Sequence, residues 1–376
     1  MVQLTMRVAI DARYIREKPS GIGAYVRALV DRVPREAPAD RFRLWTHPLA
    51  ERPISRAPNV EESVVRPGPN SPLTLAWPQR YASFDGVDVF HSPHNLLPRG
   101  VPCATVVTVQ DVMEIDRPEL HMQGVERLVK NFYYPQAVWR ALRGATQLIV
   151  TSAATADRVR AVAPETASRL HVIWLAPGAS FRPPDDRADA AVRASSLVGS
   201  DAPFLLVVGQ NSAAKRHADA MAAFAAGAPP PWRLVLLQRQ GASVRLTRLA
   251  RALHIADRVV WLPSVGEREV VTLMQAAGAL LQPSIYEGFG LPVVEAMACG
   301  CPVVASDIAP IREVAGGAAL LTPPGDVTRL AASIRDLIAA PDRRRSLAGQ
   351  GLERARAFSW DRCARETLEV YRRAFG

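Results

Sequence analysis

Lysine is scarce in this chain: Lys18, Lys130 and Lys215 are the only three, against 46 lysines and arginines together in 376 residues. The formal net charge of +10 therefore sits on arginine, which fits a biased codon usage as well as an anionic partner. The basic residues are scattered through both halves and are not interleaved with aromatics, so nucleic acid is not an expected partner. Cysteine is also sparse. Cys103, Cys299, Cys301 and Cys363 form no Cys-x-x-Cys pair, which excludes a recognisable zinc site or disulfide framework and leaves four small buried residues. Apolar runs such as Ala276 to Pro283 fall well short of the roughly 20 residues a membrane helix needs. The opening residues, Met1 to Ile10, lack the basic-then-apolar layout of a secretory leader. The expected location is the cytoplasm, with the inner face of the membrane as the alternative.

What is present is a globular composition, 48% hydrophobic and 22% charged, long enough for two domains of roughly 180 residues. Short β-branched or Leu-rich runs alternate with amphipathic segments of about ten residues, the pattern of parallel strands joined by crossover helices. The first half predicts strands at Arg7 to Asp11, Phe42 to Trp45, Val87 to Phe90, Thr105 to Val109, Gln147 to Thr151 and Val172 to Leu175. Between Ala176 and Pro203 four prolines interrupt the pattern, so 181–202 reads as a linker after a first domain at 1–180. A second domain at 203–357 predicts strands at Phe204 to Val208, Leu234 to Leu237, Val259 to Leu262, Ala279 to Gln282, Pro302 to Ala305 and Ala318 to Leu321. Helices are expected near Ala214 to Ala226, Val244 to Leu253, Glu267 to Ala277, Leu291 to Ala298 and Asp326 to Ala339. In the last segment, 358–376, Trp360, Ala364, Leu368 and Tyr371 recur at helical spacing. The expected class is α/β, with two Rossmann-like domains facing each other across a cleft and ligands bound at the carboxyl ends of strands.

The chemistry concentrates in Ser284-Ile285-Tyr286-Glu287-Gly288-Phe289-Gly290-Leu291-Pro292-Val293-Val294-Glu295. A strand ends near Gln282, Gly288 and Gly290 let a ligand approach the backbone, and Pro292 suits the first turn of a helix. That helix start offers free N–H groups to a phosphate. Glu287 in the loop and Glu295 a turn or so inside the helix can accept hydroxyl hydrogen bonds from two parts of one polyol ligand. A purely structural turn would show much the same residues.

This passage, continued by Cys299-Gly300-Cys301-Pro302-Val303-Val304-Ala305-Ser306, resembles the E-x7-E signature of retaining glycosyltransferases of family 4. Ser20-Gly21-Ile22-Gly23-Ala24-Tyr25, Ile308-Ala309-Pro310 to Glu313 and Phe358-Ser359-Trp360 keep the family's order, so the resemblance runs nearly end to end. It implies the GT-B fold, whose last helix crosses back to the first domain, and a nucleotide sugar as co-substrate, a GDP- or UDP-sugar, with no further cofactor. It implies contact of Glu287 with the donor sugar, of the Gly288, Phe289, Gly290 and Leu291 amides with sugar or phosphate, and of Glu295 with the ribose. Gly21, Gly23 and Gly209 are carried over as donor-side glycines, although Gly21 and Gly23 fit a plain turn as well. The first domain resembles mannosyl- and rhamnosyltransferases of bacterial surface polysaccharides, implying a glycan or lipid-linked acceptor and, with the positive charge, peripheral membrane contact.

Two departures from the family stand out. Where it carries Arg-Lys-Asn on the donor diphosphate, this chain has Ala214-Lys215-Arg216; Lys215 is kept, and Arg216 either supplies the missing charge or lies on the surface. Where the family reads His-Asp, Gln110-Asp111 follows Val107 to Val109. Gln110 can hydrogen-bond a sugar but cannot carry charge, and Asp111 fits the acceptor hydroxyl or a helix cap equally. Glu287, Lys215, Gln110 and Asp111 are the catalytic candidates. His91-Ser92-Pro93-His94 does not read as a metal pair, because Pro93 disfavours a helix, and no Asp-x-Asp occurs to hold a divalent ion, so no metal is expected. The rivals are a non-catalytic sugar-nucleotide-binding paralogue, a nicotinamide oxidoreductase and an epimerase. The oxidoreductase is disfavoured because no third spaced glycine follows Gly21-Ile22-Gly23.

Overall fold

The computed structural model describes residues 5–16, 20–121, 127–238, 241–263 and 265–376. It divides into two compact units, Met1–Leu175 with Ser359–Gly376, and Ala176–Phe358. Among the described residues no helix is long and apolar enough to cross a membrane.

Unit 1 is built on β1 (Arg7–Asp11), β2 (Arg41–Thr46), β3 (Val60–Val64), β4 (Val89–Ser92), β5 (Ala104–Val109), β6 (Gln147–Val150) and β7 (Leu170–Val172). All are parallel, in the order β3-β2-β1-β4-β5-β6-β7. Apolar residues on both faces of the central strands explain why they are buried twice over. Val107 and Val109 pack with Leu142 and Leu148, while Ala9, Trp45, Phe84 and Phe90 form a second cluster. The strand β3 was not foreseen. Its sequence, Val-Glu-Glu-Ser-Val, has no apolar run because it is an edge strand bonded to β2 alone and partly exposed. The segment expected as a strand at Val172 to Leu175 pairs earlier, at Leu170–Val172.

Unit 2 repeats the plan with β8 (Phe204–Val208), β9 (Arg233–Leu237), β10 (Val259–Leu262), β11 (Ala279–Gln282), β12 (Val303–Ser306) and β13 (Leu320–Thr322), parallel in the order β10-β9-β8-β11-β12-β13. Leu205, Leu234 and Leu281 pack against Phe224 and Ile334. The stretch read as a linker needs correction: Arg187–Val198 is a helix within this unit. Asp186 caps it by accepting from the amides of Ala188 and Asp189, and Gly199 ends it at φ 71°. The prolines at 183 and 184 stop short of that helix, so they delimit it and do not prevent it. A further helix, Pro341–Ala355, escaped notice because its arginine-rich start hides the inward row of Leu347, Ala348, Gly351 and Ala355.

The helix Trp360–Phe375 belongs to unit 1. Its apolar stripe, Trp360, Ala364, Leu368 and Tyr371, is the buried face. Trp360 lies against Tyr25 at 6.2 Å between rings, and Arg32 pairs with Asp361 at 2.8 Å. In each sheet the strand order reverses once, between β1 and β4 and between β8 and β11. Loops leaving such a pair diverge to opposite faces and open a crevice at the carboxyl ends.

Candidate functional site

At the reversal of unit 2, the loop after β8 carries Gly209 at φ 132°, where a side chain would be strained, and leads to Lys215 and the helix His217–Gly227. The loop after β11 carries Ser284 to Gly290 and leads to the helix Leu291–Ala298. A backbone bond from Ile285 N to the carbonyl of Ala214, 2.9 Å, stitches the two loops together. Lys215 Nζ donates to both oxygens of Glu287, at 2.6 and 2.8 Å, and Gln282 Nε2 donates to Glu287 Oε1 at 2.7 Å. The Glu287 side chain is 9% exposed and the Lys215 side chain 27%, so a nearly buried carboxylate is neutralised by an ammonium that still reaches solvent. Gln282 also donates to Ser284 Oγ at 3.0 Å, which orients its amide.

Other expected donor contacts fall into place unevenly. Arg216, itself at φ 52°, gives its Nε to Asp219 at 2.7 Å, an ion pair inside its own first helical turn. Its side chain is otherwise 41% exposed. The ring of Phe289 is buried edge-to-face on Phe358, 5.9 Å between centroids, so only its backbone can serve a ligand. Gly288 is buried. Gly290 stands at φ 103°, and a Cβ there would lie 2.5 Å from Ile311 Cδ1, so glycine is required twice over. It precedes Leu291, with Pro292, which has no N–H, in the first turn and Val293 N already donating to Gly290 O at 2.9 Å, so the Leu291 amide is the one the helix start leaves without a helical acceptor.

Glu295 is partly buried on that helix, and burial, helped by the charge of Glu267, pushes its carboxyl up to about 8. A folded value above the ordinary 4.5 means the neutral form fits the fold. The contribution is complete below about pH 4.5 and is lost as pH rises towards 8. Ligand-free Glu295→Gln should therefore gain thermal stability relative to the parent between pH 5 and pH 8.5, by about 2 kcal/mol or several degrees in Tm. Equal differences at both pH values in a thermal scan would contradict this.

At the reversal of unit 1, Ser20 caps the helix Gly21–Glu36 by accepting from Gly23 N at 2.9 Å. A Cβ on Gly23 would lie 2.9 Å from the carbonyl of Tyr14, whereas one on Gly21 would meet nothing within 4 Å. Gly23 is thus needed for packing, and Gly21 leaves open space. Gln110 is held by its backbone, N to Asn95 Oδ1 at 2.8 Å, and spends a side-chain N–H on Pro93 O at 3.2 Å. Asp111 Oδ1 accepts from Met113 N at 2.9 Å, a local turn bond just ahead of the helix Met113–Asp116, whose N-cap is Val112. Beside it burial, and then the Asp111 charge, raise Glu114 to about 8. His91 and His94 have separate neighbours. His91 Nδ1 lies 2.6 Å from Tyr371 Oη and its Nε2 2.8 Å from Thr108 Oγ1, while His94 stacks at 5.5 Å on Tyr14. Burial pulls His91 down to about 3, so it is a neutral packing residue. Among the described residues no group of three His, Cys, Asp or Glu side chains is placed to hold a metal ion.

The family description "Glycosyl transferases group 1" matches residues 189–354, inside unit 2 and enclosing both loops. Unit 2 is a glycosyl transferases group 1 domain. O-antigen chain mannosyltransferase B of Escherichia coli is 38% identical over 112 residues, 30% of this chain and 29% of that protein. D-inositol 3-phosphate glycosyltransferase of Kineococcus radiotolerans is 35% identical over 227 residues, 54% of this chain and 52% of that protein. The chain therefore matches about half the length of these relatives or less. Over the whole chain, sucrose-phosphate synthase from Thermosynechococcus elongatus superposes with a TM-score of 0.78 at 23% identity, covering 98% of each chain. WaaG, a glycosyltransferase involved in lipopolysaccharide biosynthesis, does so at 0.77 and 16%, covering 97% of this chain and 99% of its own. At these identities the likeness is one of fold, and the fold is GT-B, as the resemblance implied.

Reading the sequence missed several parts of this glycosyltransferase domain and its companion unit. Gln282, the second support of Glu287, is a buried amide ending an otherwise apolar strand; a polar residue in that position was the available signal. Asp11 ends β1 in the same way and pairs with the fully buried Arg13. His217, buried and pulled down to about 4 by desolvation and then by the Lys215 charge, has no hydrogen-bond partner at Nδ1 among the described residues. No local pattern flagged it.

Proposed function

We propose that this chain transfers a hexose, mannose or a similar sugar, from a nucleoside diphosphate sugar to a hydroxyl of a glycan or lipid-linked acceptor, with retention at the anomeric carbon and without a metal. The observation that carries the reading is the Lys215–Glu287 pair at the sheet reversal, one loop ahead of a helix start and of Glu295. A donor laid there meets an ammonium and the start of the helix Leu291–Ala298 at its diphosphate and acidic side chains at its hydroxyls. Lys215 and the helix start would offset charge on the departing nucleotide, Glu287 would hold the sugar, and Glu295, able to donate as well as accept when neutral, would hold the ribose. The glycosidic oxygen leaves with the bond electrons on the diphosphate, and that same phosphate oxygen takes the proton of the attacking acceptor hydroxyl. In this reading Gln110 would hydrogen-bond the donor sugar and Asp111 would serve the acceptor hydroxyl. The mannosyltransferase among the relatives supports the choice of sugar, and the reading places the enzyme in the cytoplasm or at the inner membrane face, serving envelope polysaccharide.

A second reading, a non-catalytic sugar-nucleotide-binding partner of another transferase, is favoured by one fact: a buried Ala214 stands where the family carries an arginine, and the neighbouring Arg216 is paired with Asp219. The deciding experiment is thermal stabilisation against GDP-, UDP-, dTDP- and ADP-sugars, with Glu295→Ala as control. A donor at 100 times its Kd should stabilise by about 2.7 kcal/mol. Turnover with the stabilising donor, and NMR of the product's anomeric centre, then separate the readings: no turnover supports the partner, and an inverted linkage sinks the retaining mechanism.

A further inference from the structure

At the amino ends of β1 and β2, the edge of unit 1 opposite the loops described above, Arg7, Arg41, Arg43, Asn59, Glu61 and Asp85 line one open cavity of about 400 Å³. Arg7 and Arg41 are register partners and the first residues of neighbouring parallel strands, so like charges stand side by side at the strand spacing of about 4.8 Å. Both are exposed, and neither guanidinium is in an ion pair among the described residues. Asp88 Oδ2 accepts from Arg7 N, at 2.8 Å. Arg43, by contrast, is held: its Nη1 donates to the carbonyls of Ser83 and Asp85 at 3.4 and 3.3 Å, and its Nη2 lies 3.6 Å from Glu61. Arg7 has a seat of its own. A Cβ on Gly86, which stands at φ 65°, would lie 2.5 Å from Arg7 Nη1, so the bare glycine admits the guanidinium. The Asn59 side chain spends Nδ2 on the carbonyls of Pro34, Ala37 and Asp40, at 2.9, 3.0 and 3.1 Å, and its Oδ1 accepts from no donor among the described residues.

We propose that this cavity binds a phosphorylated sugar, with the phosphate between Arg7 and Arg41 and the hydroxyls on Asn59 Oδ1 and the carboxylates of Glu61 and Asp85. Two uncompensated guanidiniums match the charge of a phosphate monoester, and the planar fork of arginine suits its oxygens. The bound dianion also offsets the repulsion between the two arginines. A bare phosphate would leave the acceptors at the rim unused, whereas the volume falls within the roughly 300–1,000 Å³ of small-molecule sites. The five residues of β1 set the cavity roughly 16 Å from the loop at the other end of that strand, so this ligand is neither the donor nor the acceptor of the transfer.

The test needs neither donor nor acceptor, so its failure leaves the transferase reading standing. The purified chain is titrated by calorimetry with glucose 6-phosphate, inorganic phosphate and glucose at constant ionic strength. Glucose 6-phosphate is expected to bind at least about tenfold more tightly than phosphate, and glucose not measurably. Arg7→Gln with Arg41→Gln should weaken glucose 6-phosphate at least about tenfold, while the ligand-free Tm stays at or above that of the parent because a like-charge pair is gone. Lys215→Met, on unit 2, should leave this affinity unchanged. Added ligand should slow hydrogen exchange at the first residues of β1 and β2 and not at 110–113. Circular dichroism checks that each variant is folded, and Arg41→Gln alone decides if the double variant is not. Equal affinity for phosphate and glucose 6-phosphate, arginine variants that bind like the parent, protection confined to 110–113, or no binding at all would each overturn the proposal.

Discussion

Lys215→Met is expected to lower kcat/KM with the cognate donor by about 100-fold or more while the chain stays folded. The ammonium donates to both oxygens of Glu287, whereas Gln282 offers only a neutral amide. Removing a single donor aimed at developing charge costs about 10²–10³ in rate in other enzymes, and in the proposed reading the same group supports the carboxylate that would hold the sugar. Stability should fall as well. Breaking a fully buried pair costs about 3–5 kcal/mol, but Lys215 reaches solvent, so a smaller loss is expected, on the order of 1–2 kcal/mol. The Glu287→Gln variant and the double variant complete a cycle. If the pair acts as a unit, the double variant will be little less stable than Lys215→Met, because no charge is left unpaired, while its turnover stays low. Rates within threefold of the parent for both single variants would show that the donor is bound elsewhere.

Asp11→Ala should destabilise unit 1 by about 3–5 kcal/mol, the loss typical of stranding a buried charge. The Arg13 side chain is 0% exposed. Its Nε and Nη2 form a fork on Asp11 at 2.7 and 2.6 Å, and its Nη1 ties down Pro67 and Thr74. Burial pulls the Arg13 value down, and the charge and hydrogen bonds of Asp11 more than offset it; without Asp11 the guanidinium still keeps its proton, because an arginine does not deprotonate in a protein. Arg13→Lys should recover little, because a point charge cannot reproduce the fork. Because the chain has two units, the measurement should be local: urea unfolding read by hydrogen–deuterium exchange in β1 and β2. A loss below about 1 kcal/mol would mean that water reaches the site and replaces the carboxylate.

The two predictions differ in how far the sequence announced them. The loop carrying Glu287 and the helix start at Leu291 were legible in local chemistry, a loop after an apolar strand, paired glycines and a proline in a first turn, whereas Lys215 was reached only through the family resemblance. The partner relations were not. Lys215 and Glu287 are 72 residues apart and meet because β8 and β11 are neighbours in the sheet, and Gln282 joins them because it ends β11. Arg216 seemed available to the donor until its own helix placed Asp219 one turn away. Asp111 had two readings, and one of its oxygens is engaged by the Met113 amide in the turn that leads into the next helix.

By itself the sequence determined two series of buried parallel strands, the glycine loops between them and the E-x7-E passage, because periodicity, turn chemistry and capping act over a few residues. Tertiary structure alone decided the edge strand β3, the helix hidden in the supposed linker, and the contacts of the last helix, where His91 meets Tyr371 from 280 positions away. Such contacts depend on strand order and on which faces remain to be covered, and those are set by the packing of the whole unit rather than by any local stretch of chain.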